Sequence, residues 1–340
     1  MPSTCSKSTI GLFLAMLCAL LVTTKAHAEA RVLCIYDPAG KTGDYYNIME
    51  DYAIEASGWG VDVSFKAYTD EETATKDYDA GHCDGVLATG VRLQRFNRFP
   101  STLEAIGAIS SYDILKQMIS SLAKYESAAK RLRSGEHETV GFIPVGAAYL
   151  FVRDRNASTV SALAGKRMAT MDYDKAAPFM VNRVGAIMVP ADLGSIGPKF
   201  NNGDVDACYM SAPGYQPFEL WRGLGTAGGV VRLPLAQGTL QLMVRADKFP
   251  DGFGKQSRTY LVGQFDRALK IIKDAEAAIP AKYWIDVPAS DVDAFDELFL
   301  GVRLQLRDEV KAYDGQMLSA LRKLRCKKDP ARAECVEKKE

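Results

Sequence analysis

The sequence predicts an α/β protein of two domains that are joined by an extended crossover segment and braced by helices. Strand and helix patterns alternate over residues 31–89 as a βαβαβ unit, which indicates a parallel sheet flanked by helices. A second α/β pattern covers residues 163–210. The apolar stretch at residues 230–244 then has the character of a strand that leaves one domain and returns to the other. We therefore expect a hinge at this stretch.

The first unit begins with an apolar strand at residues 31–36 and a helix over about residues 44–58. Tyr45, Ile48 and Tyr52 recur at helical spacing, and Gly58 is a typical helix stop. Residues 61–68 alternate as a strand and residues 85–89 form a third one, with a polar helix at residues 71–80 between them. The pattern then predicts a helix over residues 111–132 and strands at residues 139–143 and 147–152.

The second unit has predicted strands at residues 166–171, 187–189 and 206–210, with a helix over residues 174–184. After Pro250 the pattern is helical only. Its apolar residues form one stripe that predicts a single helix over residues 254–279, ~39 Å long, which could lie across both domains. Two further helices are predicted at residues 290–313 and 316–324.

These elements divide the chain into five expected segments. They are an export signal at residues 1–28, α/β domain I at residues 29–148 with part of 240–265, α/β domain II at residues 149–239, bridging and C-terminal helices at residues 252–325, and a charged tail at residues 326–340.

The first 28 residues have the pattern of a cleavable export signal. Lys7 precedes an apolar run over residues 10–22, and Ala26-His27-Ala28 is a small-x-small cleavage site before Glu29. As a helix this run would span only ~20 Å, short of the ~30 Å hydrocarbon core of a bilayer. We therefore expect cleavage and a soluble protein in the periplasm.

The composition of the mature chain excludes several classes of function. Removal of Lys7 and Lys25 leaves 40 basic against 42 acidic side chains, so we expect no nucleic-acid partner. His82 and His137 are the remaining histidines, and no Cys or His pair has metal-ligand spacing, so we expect neither a metal nor a cofactor. Nucleophile-elbow, dinucleotide-binding and metalloprotease patterns are missing, so we expect that the protein is not an enzyme.

Five cysteines remain after cleavage, and an odd number in an oxidising compartment indicates two bridges and one free thiol. Cys326 and Cys335 bracket a short loop and are expected to pair. Cys34 lies in the first strand and Cys83 just before the third, so a sheet order of 2-1-3 would make them neighbours. Cys208 is expected to be a buried thiol.

Polar residues at strand ends are the candidate ligands, because parallel sheets bind ligands at the carboxyl ends of their strands. Gly40-Lys41-Thr42 lacks the upstream glycine of a phosphate-binding loop, since Ile35 stands there. Its helix start is either an anion site aided by Lys41 or a solvated turn. Asp174 is expected to cap a helix. The predicted ligand-binding residues are Asp37, Lys41, Thr42, Thr89, Gly90, Arg92, Tyr149, Asp172, Tyr173, Tyr209 and Gln237.

Several local patterns carry a resemblance to a known family. Val-Ser-Ala-Leu-Ala-Gly-Lys-Arg-Met at residues 160–168 and Asn-Gly-Asp-Val-Asp at residues 202–206 resemble segments of the solute-binding proteins of tripartite ATP-independent periplasmic (TRAP) transporters. Residues 34–44 and 280–284 resemble a divergent AdeT-like subgroup of that family, some of whose members carry an efflux-associated label. The resemblance implies the two-domain periplasmic binding protein fold and a permease partner.

One position departs from the pattern of the family. Counted from Gly165, Ala169 stands where typical TRAP receptors carry the arginine that clamps a carboxylate, and Arg167 lies two residues earlier, ~7 Å away along the strand. The resemblance therefore implies the fold more firmly than an organic-acid ligand.

The expected function is that of a monomeric periplasmic receptor that captures a small polar solute between its domains and delivers it to a membrane permease. An anionic solute is one option, because Lys41 and Arg92 would then supply buried cations. Two alternatives stay open. The same fold could serve as an accessory component of an efflux or envelope complex, or as an exported enzyme.

Export predicts a defined N-terminus. N-terminal sequencing of protein isolated from the periplasm should begin at Glu29, because cleavage follows the small-x-small site. A full-length cytosolic species as the dominant form would contradict this prediction.

Overall fold

The computed structural model describes residues 1–3 and 29–340, so the predicted export signal lies, apart from its first three residues, outside the described part of the chain. The strands are β1 Glu29–Tyr36, β2 Val61–Tyr68, β3 Gly85–Thr89, β4 Arg133–Ser134, β5 His137–Val152, β6 Arg167–Met171, β7 Ile187–Ala191, β8 Ala207–Ser211, β9 Gly229–Arg245 and β10 Trp284–Ile285. The helices are α1 Asp44–Gly58, α2 Glu71–Asp79, α3 Gly90–Leu93, α4 Arg98–Ser101, α5 Tyr112–Lys124, α6 Glu126–Ala129, α7 Ala177–Arg183, α8 Leu193–Asn202, α9 Trp221–Leu224, α10 Phe253–Gly263, α11 Phe265–Ala278, α12 Ala289–Asp308, α13 Gly315–Lys328 and α14 Ala333–Glu337.

Within the described residues the strands form one mixed sheet in the order β2-β1-β3-β9-β5-β8-β6-β7, with β10 paired to β9 and β4 to β5. In the first half, β1 pairs in parallel with β2 and β3. In the second half, β6 pairs in parallel with β7 and β8. The two predicted α/β units are thus confirmed, and they belong to one continuous sheet. The predicted domain boundaries themselves stay a prediction.

The long strands β5 and β9 connect the two halves. They pair antiparallel from His137 opposite Arg245 to Val152 opposite Gly229. Beyond this pair, β3 lies against β9 in the first half and β8 against β5 in the second. The apolar stretch at residues 230–244 is therefore a crossover strand, as the sequence predicted.

Three apolar cores hold the helices against this sheet. The first half has a core around Leu33 and Ile48, and the second half has one around Phe151 and Phe200. A third core, which includes Phe299, lies under the C-terminal helices α12 and α13 and touches strands of both halves. Each half therefore has its own core, and the C-terminal helices pack against both.

Two predicted helices are interrupted in the structure. The expected helix over residues 254–279 consists of α10 and α11, because Gln264 takes a ψ of −2° and ends the first of them next to Gly263, a weak helix former. The pair still braces both halves, since Ser257 bonds to Tyr52 of α1 at 2.8 Å and Glu276 accepts from Tyr149 of β5 at 2.8 Å. The helix expected over residues 111–132 is α5 up to Lys124, is interrupted by the extended residue Tyr125, and continues as the short helix α6 and a 3₁₀ turn over residues 130–132.

Residues 326–340, expected to be a charged tail, are largely exposed but are anchored to the body of the protein at two positions. Glu334 and Glu340 are buried, and their carboxylates pair with Arg303 and Arg325, which are also buried. Because buried charges are tolerated when they are paired, this network explains how two arginines lie in the core under α12 and α13.

Both predicted disulfides are present. Cys34 joins Cys83, with Cα atoms 5.8 Å apart, and Cys326 joins Cys335, with Cα atoms 5.5 Å apart. The first bridge depends on the sheet order β2-β1-β3, which the sequence predicted. Cys208 is a free buried thiol, also as predicted, and burial raises its pKa.

The Cys34–Cys83 bridge should stabilise the fold more than the C-terminal bridge, because it closes a longer loop, with a sequence separation of 49 against 9. Replacement of both cysteines by alanine should lower the free energy of unfolding by about 2–4 kcal/mol, as measured by denaturant titration. The loss of unfolding free energy should be compared with that caused by replacing Cys326 and Cys335 with alanine. A larger loss from the C-terminal pair would contradict the loop-length argument.

Candidate functional site

A cavity of about 180 Å³ lies between the two halves of the sheet, where β5 and β9 cross and where β3, β6 and β8 end. Its lining is mostly apolar, with a few polar groups that converge from different elements, an arrangement typical of small-molecule sites. The polar lining residues are Thr89, Gln94, Ser101, Glu104, Tyr173, Asp174, Tyr209, Ser211, Gln237 and Tyr313.

A second cavity of about 260 Å³ adjoins the first and shares Thr89, Leu193 and Ser211 with it. Residues from the loop after β1 and from the start of α1 form its other wall, including Asp37 and Tyr45. The two cavities together form a cleft that is bounded by both halves of the protein.

Six of the predicted ligand-binding residues line this cleft. Thr89, Tyr173, Tyr209 and Gln237 line the first cavity, and Asp37 and Thr42 line the second. The argument that strand ends converge therefore brings together residues from both halves. Whether these side chains bind a ligand stays a prediction.

The other five predicted residues lie outside the lining of both cavities. Lys41 and Asp172 are exposed. The backbone N–H of Gly90 donates to Glu104 at 3.0 Å, and the Tyr149 hydroxyl donates to Glu276. Arg92 lies behind the side chain of Tyr173.

The predicted anion site at the start of α1 already holds a carboxylate of the protein. Asp37 is 2% exposed and accepts from the backbone N–H groups of Tyr45 at 3.0 Å and Tyr46 at 3.1 Å. Gly43 permits this approach, because a Cβ at that position would lie 2.0 Å from the Asp37 carboxylate. The solvated-turn alternative for Lys41 fits the structure better than the anion site.

Arg92, Tyr173 and Glu71 form a contact between the two halves. The Arg92 guanidinium lies 3.4 Å from the centre of the Tyr173 ring, and its Nε lies 3.6 Å from Glu71 Oε2. The Tyr173 hydroxyl donates to the same Glu71 oxygen at 3.3 Å. Because Arg92 and Glu71 belong to the first half and Tyr173 to the second, we name this group the interhalf contact.

Glu104 is a cavity residue that the sequence analysis missed. Its carboxylate accepts from the backbone N–H groups of Gly90, Val91 and Thr239, and from the Thr239 hydroxyl at 2.6 Å. Burial raises the pKa of Glu104 to about 7, although these donors favour its ionised form. The carboxylate thus ties α3 and the 3₁₀ turn after α4 to the crossover strand β9.

Asp174 is the second missed cavity residue. Its Oδ1 accepts from the backbone N–H groups of Ala176 at 2.7 Å and Ala177 at 3.3 Å. The helix begins only at Ala177 with Ala176 in the N-cap position, so the prediction that Asp174 is the N-cap is wrong by two residues. Its Oδ2 accepts from the Tyr209 hydroxyl at 3.3 Å, and the residue lines the cavity. Burial raises the pKa of Asp174.

Gln237 supplies an acceptor that the protein leaves unused. The residue is 1% exposed and lines the cavity on β9, and its Oε1 has no hydrogen-bond partner. A buried amide oxygen without a partner is costly, so a bound ligand that donates to it would be favoured.

Position 169, where the sequence analysis places the arginine of typical TRAP receptors, carries an uncharged side chain in this protein. Ala169 is fully buried, and Arg167 does not reach the cavity, because its guanidinium donates to Asp206 at 2.7 Å and 3.1 Å. Neither position therefore supplies a cation to the cavity.

Metal binding and membrane insertion find no support among the residues described. In residues 1–3 and 29–340, no group of three or more His, Cys, Asp or Glu side chains could hold a metal ion. The same residues contain no helix that is long and apolar enough to cross a membrane.

The fold and the cleft define a class of two-domain receptors for small solutes, and comparison with known structures agrees on the fold. A TRAP periplasmic solute-binding protein from Desulfovibrio salexigens, solved with orotic acid, has a TM-score of 0.69 at 14% identity and covers 88% of this chain and 99% of its own. One from Desulfovibrio desulfuricans, solved with sn-glycerol-3-phosphate, has a TM-score of 0.71 at 12% identity and covers 87% and 97%.

Sequence comparison shows the family directly. The profile described as "Solute-binding protein AdeT 1/2" matches residues 53–340. A relative from Acinetobacter baumannii named "Probable solute-binding protein AdeT1" is 39% identical over 304 residues, which cover 89% of this chain and 99% of the relative. This chain belongs to the AdeT 1/2 family of solute-binding proteins. The resemblance found in the sequence is confirmed.

The interhalf contact should favour the closed arrangement of the two halves. Arg92→Ala removes a largely buried cation–π contact worth ~2 kcal/mol, which corresponds to about a 30-fold shift from closed to open. Small-angle X-ray scattering of the ligand-free variant should show a larger radius of gyration. Arg95→Ala is the matched control, because Arg95 pairs with Asp79 of the same half. Equal radii for Arg92→Ala and the parent would disprove this role.

Proposed function

We propose that the protein is a periplasmic receptor that captures a small solute in the cavity between its halves and delivers it to a membrane permease. Membership in a solute-binding family and the TRAP receptor fold support binding as the activity. The single observation that carries the proposal is the cavity itself. Its lining comes from strands and helices of both halves, so a bound molecule would contact both at once.

Capture requires a ligand that binds the closed arrangement better than the open one, because equal affinity for both would shift nothing. The composition of the cavity lining supports this requirement, since Thr89 belongs to the first half and Tyr209 and Ser211 belong to the second. A ligand that contacts these residues together loses contacts when the halves separate. A permease that opens the receptor would therefore release the ligand.

Gln237→Leu tests capture at the cavity. Native mass spectrometry of protein purified from the periplasm should detect a small molecule on the parent, and the variant should retain about tenfold less, because a buried hydrogen bond is lost. Gln216→Leu is the matched control, since Gln216 is exposed and lies outside the cavity lining. A parent that carries no molecule and binds none in solution would contradict the proposal, and equal retention by Gln237→Leu would place the site elsewhere.

A further inference from the structure

The charges around the cavity are opposite to those that an anionic solute requires. Of the described residues that line it, none is Lys, Arg or His, whereas Glu104 and Asp174 contribute carboxylates. Arg92 contacts the lining residue Tyr173, but it is covered by the Tyr173 ring and lies beside Glu71. Arg303 donates to the carbonyl of the lining residue Ile106 at 2.9 Å, but it is paired with Glu340. At mildly alkaline pH, above the pKa of about 7 of Glu104, an anion in the cavity would lie against a carboxylate without a free cation to offset the repulsion.

The two carboxylates differ in their capacity to accept further hydrogen bonds. Glu104 accepts four hydrogen bonds from the protein, three of them at Oε1. The donors are backbone N–H groups and the Thr239 hydroxyl, so this carboxylate has little remaining capacity to accept from a ligand. Asp174 Oδ2 accepts one bond, from Tyr209 at 3.3 Å, and retains an open acceptor position. Within the described residues, Asp174 has no ion-pair partner.

Gln237 provides an independent observation at the same cavity. Its Oε1 is a second unused acceptor, on β9, and the side chain is 1% exposed. Three tyrosines, Tyr173, Tyr209 and Tyr313, add aromatic surface and hydroxyl oxygens to the lining. Aromatic faces attract cations, and amide and carboxylate oxygens accept from ammonium groups, so all of these features favour the same kind of ligand.

The remaining lining residues limit the size of the ligand and favour a ligand that is mostly apolar. Side chains such as Val91, Ile106, Met180 and Leu235 make most of the wall apolar. A cavity of roughly 150 Å³ holds a benzene-sized molecule, so about 180 Å³ suits a compact molecule of that size with one polar group.

We infer that the cavity binds a small organic cation, an amine with an apolar body, whose N–H groups donate to Asp174 Oδ2 and Gln237 Oε1. This inference rests on the proposed receptor function and specifies its ligand class. It separates this chain from the structural relatives solved with orotic acid and sn-glycerol-3-phosphate, both of which carry an acidic group.

Three probes of nearly equal shape test the charge preference. Isothermal titration calorimetry at mildly alkaline pH compares benzylamine, benzyl alcohol and benzoate on the purified mature protein. Benzylamine should bind at least about tenfold more tightly than benzoate, because a charge-assisted hydrogen bond replaces a repulsion. Tighter binding of benzoate would overturn the inference and leave the receptor function intact. Binding of none of the three, together with no molecule retained in native mass spectrometry, would contradict both.

Two substitutions locate the effect at the named oxygens. Asp174→Asn should weaken benzylamine about tenfold or more while the affinity for benzyl alcohol stays within about threefold, because only the cation loses a charged partner. Gln237→Glu should strengthen the binding of benzylamine, and it remains informative if Asp174→Asn fails to fold through loss of the bonds from Ala176 and Ala177. Unchanged benzylamine affinity in Gln237→Glu, or an equal loss for benzylamine and benzyl alcohol in Asp174→Asn, would disprove the assignment.

Discussion

The antiparallel pairing of β5 with β9 is the constraint on which the rest of the structure depends. Both strands extend through the two halves, so each parallel unit is attached to the same pair. The register shifts between Pro144 and Gly146 and between Ala148 and Leu150, where the strands pass the cavity. Such irregularities bend a strand, and Gly146 with a φ of 101° takes a conformation that other residues rarely adopt. The bend and the cleft therefore arise at the same place.

Most of the fold follows from local patterns in the sequence. The βαβαβ unit, the strand order around β1 and both disulfides depend on periodicity and on the rules for parallel sheets, which act over short segments. The predictions fail where contacts between residues remote in sequence decide where a helix ends or whether a charged side chain is buried. An apolar stripe predicts a helical face but not the break at Gln264. The charged residues near the C-terminus were predicted to be solvated, because no local pattern shows that Glu340 pairs with the buried Arg303 and Arg325.

The candidate site was predicted in part for the same reason. Thr89, Tyr173 and Tyr209 follow strands, so a topological rule reaches them without knowledge of side-chain contacts. Glu104 follows no strand, and its role depends on Thr239, which is remote in sequence. The available signal was a lone carboxylate within the largely apolar segment of residues 99–109. Asp174 was interpreted as a helix cap, but α7 begins three residues later, and its carboxylate instead accepts from the backbone before the helix and from the Tyr209 hydroxyl.

The path of the chain places most of the second half in one continuous segment between β5 and β9, to which β10 returns by pairing with Val230 and Val231. The chain enters this segment along β5 and returns along β9, and Gly146 pairs with Gly238 while Ala147 pairs with Gln237. The two junctions of the segment are thus neighbours within one ladder. A segment exchanged at these junctions between relatives would keep the strand register and the first half unchanged, and would bring a new set of Asp174, Tyr209 and Ser211 equivalents to the cavity. Recombination at these two neighbouring junctions could then change the ligand specificity while the sheet keeps its strand order.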